Sequence, residues 1–222
     1  MSKKYKLTDE TINLNGATLY RIEALKDFGE IKKGDKGGFI ESENNLAHEG
    51  DAWVSDNAHV YGDACVFDNA RVYNNAFVSG YAQVYGNAFV YGNAWLYDHT
   101  RVCGYAWVSD NARVYGDANV CDDSSVFGSA CVYGNARVYG DALVRGYACV
   151  CGDAEISTDA DYIVFKNWWS SGRYFTWTRS NNMWSVGCFY GTGEELIKKA
   201  YKDSELSGSE YERIVKYVEE IR

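Results

Sequence analysis

A chain of 222 residues with 46% hydrophobic and 24% charged side chains is long enough for one large domain and too apolar to be disordered. No run approaches the roughly 20 apolar residues of a membrane span, and Met1-Ser2-Lys3-Lys4 leads into polar residues rather than an apolar signal core, so a membrane protein, a secreted precursor, a coiled coil and a collagen are excluded. The net charge of −9 argues against generic nucleic-acid binding, which needs a Lys/Arg excess to neutralise phosphate, and seven cysteines without a CxxC pair point to reduced thiols in a cytoplasm.

Residues 1–45 read as an N-terminal β-hairpin cap. Ile12 to Tyr20 alternate around Asn15-Gly16, the strongest short hairpin signal. Gly34-Asp35-Lys36-Gly37-Gly38 forms a second turn before Phe39-Ile40.

Residues 46–160 carry a repeat. From Val54 to Ile156 a Val, Leu or Ile recurs every six residues without a slip. Four residues after each of these anchors stands alanine, except Thr100 and Ser124; two after stands glycine, Asp or Asn, with Thr158 at the end of the series. A period of six is neither helical nor plain alternation. It predicts a short strand around each anchor, then a turn at residues that tolerate positive φ, with the small alanine inside the corner. Three units close a triangular coil of 18 residues. About six coils stack at roughly 4.8 Å, a prism roughly 29 Å long. Proline would remove a ladder donor from any interior coil, and the chain has none, where average usage predicts roughly eleven.

Residues 161–222 change character. Tyr162–Phe165, Arg173–Thr178 and Met183–Phe189 read as three strands, and Gly193–Tyr201 and Ser209–Val218 as two helices, a β-β-β-α-α module.

The six-residue pattern resembles the left-handed parallel β-helix of hexapeptide-repeat proteins; left-handedness is what the resemblance implies. Here glycine falls two after the anchor instead of directly after it. Tyr20 to Leu25 with Gly37 to Glu41 is similar to the opening of hexapeptide-repeat proteins encoded by bacteriophages and prophages. Gly187 to Thr192 before a helix is similar to the tail of the same group. The expected fold class is thus mainly β, a β-helix with a β cap and a small C-terminal α/β module.

Many β-helix proteins of this kind are acyltransferases that use a histidine base at an inserted loop or a subunit boundary. The repeat from Val54 to Ile156 has no inserted loop, and only His48, His59 and His99 are available. Stacking by 18 puts Cys131 over Cys149, with Cys151 also facing outward, and Cys103 over Cys121, close enough to hold zinc or to form a bridge, but no histidine completes a metal set. The reading therefore assigns no catalytic residue, metal or cofactor. It singles out two outward ladders, Trp53-Arg71-Phe89-Trp107 and His59-Phe77-Trp95-Arg113, as interface candidates, because exposed rings with arginines favour association. In the tail, Trp168, Arg173, Tyr174, Trp177, Arg179 and Tyr190 are ligand candidates, since rings stack on bases and guanidinium groups pair with phosphate. The expectation is a non-catalytic, phage-derived binding protein. It self-associates and engages a host protein or a nucleotide-like ligand in the bacterial cytoplasm, to antagonise defence. The alternatives are an acyltransferase with a composite site at His59 or His99, and a virion or filament component.

Overall fold

Each anchor forms a two-residue strand with the residue before it, from Trp53–Val54 to Glu155–Ile156. The anchor side chain points inward and is fully buried, as is the alanine four residues on, apart from the exposed Ala160 at the end of the series. The residue before the anchor points out, as alternation along a strand requires. In the computed structural model, which describes residues 3–222, these strands stack into three parallel sheets. Met1 and Ser2, the head of the polar start read above, lie outside the described residues. Register is set by the repeat: Phe77 lies between His59 and Trp95, and Phe89 between Arg71 and Trp107. The column is a β-solenoid of about seven turns, one more than the repeat alone predicts. It already begins at Phe39-Ile40, which pair with His59-Val60, and at Leu46, which bridges to Val66.

The corner residue two after the anchor has positive φ at every anchor from Val54 to Val150, including Asp56 at 55°, Asn74 at 59° and Gly104 at 68°, and only Thr158 at the end of the series is extended. Gly, Asp and Asn occupy it because other side chains are strained there. Where it is aspartate, the carboxylate accepts from the backbone N–H of the corner one coil on: Asp56 from Asn74, Asp68 from Gly86, Asp98 from Gly116, Asp110 from Gly128 and Asp122 from Gly140, at 2.9–3.2 Å. A Cβ on Gly104 would stand 2.7 Å from the Asp122 nitrogen, so there the close stacking itself requires glycine. Thr100 and Ser124, the two departures from alanine, are buried and donate their hydroxyls to the carbonyls of Tyr97 and Cys121 in their own corners.

Outside the paired two-residue strands, coil-to-coil hydrogen bonds run one way. The N–H of one coil donates to the carbonyl of the next, as Tyr61 does to Val78. The first coil is therefore left mainly with carbonyls and the last mainly with N–H groups, and each costs free energy if buried unpaired. Strands β1 (Tyr5–Leu14), β2 (Ala17–Ala24) and β3 (Lys36–Ile40) form the start, with β1 and β2 joined at Asn15-Gly16 as expected. They bring donors. The buried Lys4 ammonium reaches the carbonyls of Ala52 at 2.8 Å, Gly50 at 3.3 Å and Glu49 at 3.5 Å. The Tyr5 hydroxyl donates to Leu46 at 2.7 Å, and the Asn45 amide to Ala64 at 2.8 Å. Burial lowers the Lys4 pKa to about 8 while Asp51 opposes the shift, which leaves the ammonium charged at neutral pH.

The other end brings mainly acceptors, although the Tyr162 hydroxyl also donates to the Leu143 carbonyl at 2.8 Å. Leu143 N–H donates to Asp159, Arg145 to the Tyr162 hydroxyl, Cys149 to Thr176, Glu155 to Ser180 and Ser157 to Asp161, at 2.7–3.3 Å. Here the tail differs from the expected β-β-β-α-α order. It has four antiparallel strands, Tyr162–Lys166, Tyr174–Thr178, Met183–Val186 and Phe189–Gly191, followed by α1 (Gly193–Asp203) and α2 (Glu205–Ile221). The single strand expected over 183–189 turns back at Gly187, whose φ is 60°. Thr192 caps α1 in a reciprocal pair with Glu195. No helix among the described residues is long and apolar enough to cross a membrane.

Candidate functional site

The outward ladder of one face runs Phe39, His59, Phe77, Trp95, Arg113. His59 stacks on Phe77 at 4.6 Å and Phe77 meets Trp95 at 5.0 Å. The Arg21 guanidinium lies over Phe39 at 4.2 Å, and that of Arg113 over Trp95 at 5.9 Å. The next face carries Arg71, Phe89 and Trp107, the last two edge to face at 5.7 Å. Trp95 and Trp107 remain 47% and 49% exposed. Trp53 does not belong with them. It is 2% exposed, because Phe28 packs edge-on at 5.3 Å and Tyr5 at 6.3 Å. A cap residue distant in sequence closes that end of the expected interface.

A second set of ladders lies just after the anchors. Tyr97, Tyr115 and Tyr133 stack at 4.8–4.9 Å, within 5° of parallel. Tyr73 and Tyr91 do the same on the next face, and Phe67 and Tyr85 on the third. Ser79 interrupts the first ladder between Tyr61 and Tyr97. The gap opens into a groove of about 350 Å³ lined by Tyr61, Phe77, Ser79, Trp95, Tyr97 and Arg113. Burial pushes the Tyr97 hydroxyl above its ordinary pKa, Asp98 adds to this, and the nearby Arg113 charge opposes it. Ser79 lies outside the ladders of residues that precede the anchors. Reading the residue after each anchor at 18-residue spacing exposes it as a serine in a column of tyrosines.

The tail candidates do not converge. Trp177 is a core residue, buried with Phe175 and Trp184 between the small sheet and the helices, and its indole N–H donates to Asn182 at 3.0 Å. Its ring is closed to a ligand, because the strand's inner side faces the helices. Tyr174 stacks on Tyr147 of the solenoid at 4.3 Å. The Tyr190 hydroxyl rests in the space left by Gly152, where a Cβ would lie 1.9 Å away, and accepts from the Asn181 amide. Arg173 and Arg179 are exposed just before and just after the strand Tyr174–Thr178, and Trp168 is 71% exposed against Trp169. Three of the six are used for packing within the molecule.

The histidines are engaged. His48 Nδ1 accepts from the Lys4 backbone and its Nε2 lies 3.5 Å from Glu43; His99 stacks on Tyr81 at 4.7 Å. His59 is half-buried between two phenylalanines, and burial lowers its pKa. The thiols depart from expectation. Cys103 and Cys121 are joined in a disulfide, since stacking sets their Cα atoms 4.6 Å apart. Cys151, expected to face outward, is buried. Cys149 beside it is the more acidic of the pair, because Cys151, Ser185 and Tyr133 hydrogen-bond to its sulfur. Among the described residues no group of three or more His, Cys, Asp or Glu is placed to hold a metal ion.

With this geometry established, similarity to known families adds one result. The YdcK beta solenoid repeat matches residues 82–98 and 130–146. Both segments are runs of the solenoid, so the chain is a β-helix repeat protein. No curated protein matches the chain.

Proposed function

We propose that the chain is a non-catalytic binding protein of phage origin. It associates with copies of itself in the bacterial cytoplasm and holds a host molecule, so blunting a defence response. One observation carries the reading: an unbroken column that exposes Trp95, Trp107 and Arg113 on neighbouring faces. Large rings left about half open on a rigid sheet have lost much of their conformational freedom already, so covering them costs little further entropy. Phe89 and Trp107 supply the self-association face and Phe77, Trp95 and Arg113 the ligand face. The histidines support a binding role over acyl transfer, for each is stacked or hydrogen-bonded within the fold. The phage assignment rests on the resemblance of the two ends of the chain.

Native mass by light scattering tests the reading. An oligomer is expected for the wild type and a smaller particle for Trp107→Ser. A wild-type monomer at tens of micromolar, or turnover of an acyl-CoA donor, overturns it.

A further inference from the structure

We propose that the gap at Ser79 is a slot for the flat ring of a small anionic aromatic ligand, of the class of a nucleoside monophosphate, with Arg113 taking the phosphate. This deepens the binding role proposed above and rests on it.

Rings in successive coils stand 4.9 Å apart and nearly parallel. A serine in one coil therefore leaves Tyr61 and Tyr97 separated by two coil spacings, roughly 10 Å. That is the room of one missing ring, with van der Waals contact on both faces. The groove volume of about 350 Å³ falls at the small end of ligand pockets. Its walls are two tyrosines, Phe77 and Trp95, and its charged group is Arg113, which makes none of the ion pairs among the described residues. A free guanidinium beside stacked rings suits a planar ligand that carries phosphate.

The molecule contains its own comparison. On the neighbouring face Ser109 interrupts the ladder of Tyr73, Tyr91 and Phe127 in the same way. That gap is closed: Ser109 is 5% exposed, and the indole of Trp107, two residues earlier, stands edge-on to Tyr91 at 6.3 Å. The residue two before Ser79 is Phe77. It is held in its own stack between His59 and Trp95, so the Ser79 gap stays open. One serine gap has an indole of this chain beside it, and the other awaits a ring from outside.

Titration calorimetry with adenosine and adenosine 5′-monophosphate tests the slot. The wild type is expected to bind both, the monophosphate at least tenfold tighter. Ser79→Tyr restores the ladder ring that the repeat prefers and is expected to abolish both. Arg113→Gln, an exposed change, is expected to bind the two equally. Absence of binding at millimolar concentration, wild-type affinity in Ser79→Tyr, or an undiminished preference for the monophosphate in Arg113→Gln overturns the proposal. So does a fall in native mass of Ser79→Tyr without nucleotide binding by the wild type, which assigns the gap to a side chain of a second copy. The two readings fail separately. A monomer that binds the monophosphate removes self-association and keeps the slot, whereas an oligomer that binds neither probe removes the slot alone.

Discussion

The two ends of the column face opposite shortages. At the first coil the unpaired groups are carbonyls, and the chain answers with an ammonium, a phenol and a carboxamide from Lys4, Tyr5 and Asn45. At the last coil the unpaired groups are mainly N–H, and the answers are carboxylates and hydroxyls from Asp159, Asp161, Tyr162, Thr176 and Ser180. A parallel solenoid is polar along its axis, so its caps cannot be interchanged. The comparison teaches that capping here is matched donor by acceptor, beyond the covering of apolar surface.

The largest effect is expected where a buried charge meets three carbonyls. Lys4→Met removes the donor and keeps the apolar stem; a loss of about 3 kcal/mol is expected from urea unfolding. Equal midpoints for variant and wild type would break the donor half of the comparison. At the opposite end Thr176→Val keeps shape and removes one acceptor from the Cys149 N–H. A loss of about 1–2 kcal/mol is expected, with faster hydrogen exchange at that amide. Between the ends, Asp110→Ala removes a corner carboxylate and strains a positive φ, at about 1 kcal/mol by thermal unfolding, whereas Asp110→Gly keeps the conformation and costs about half as much.

The smallest effect expected is a pH dependence at the acceptor end. Burial pushes the Asp161 carboxyl up, but the N–H groups of Ser157 and Thr158 and the Ser157 hydroxyl outweigh it and hold its pKa below the ordinary value. A depressed folded-state pKa adds stability above the ordinary carboxylate pKa, and this is lost as pH falls through the folded one. The stability difference between wild type and Asp161→Asn should therefore shrink below about pH 4. A difference constant from pH 7 to pH 3 would remove Asp161 from the cap.

Much of this was legible beforehand, and for a definite reason. The six-residue period, the corner residues and the outward ladders all follow from spacing along the chain, because each coil repeats the same covalent path. The hairpin at Asn15-Gly16 and both helices were legible from local signals too. The turn at Gly187 was not, since Met183 to Phe189 is apolar enough to pass as one strand. Trp53 and Trp177 looked like neighbours of open rings and proved covered, by Phe28 and Tyr5 in one case and by the tail helices in the other.

From the sequence by itself came the column: its coils, which side chains point inward and which residues stack 18 apart. Only the tertiary structure decided which outward rings stay open, which cap group meets which orphaned backbone group, and that the gap at Ser79 is an open groove while that at Ser109 is covered. The first set depends on a short repeat acting through neighbouring bonds. The second depends on contacts between segments tens of residues apart, or on which way a single ring leans, and neither leaves a period in the sequence.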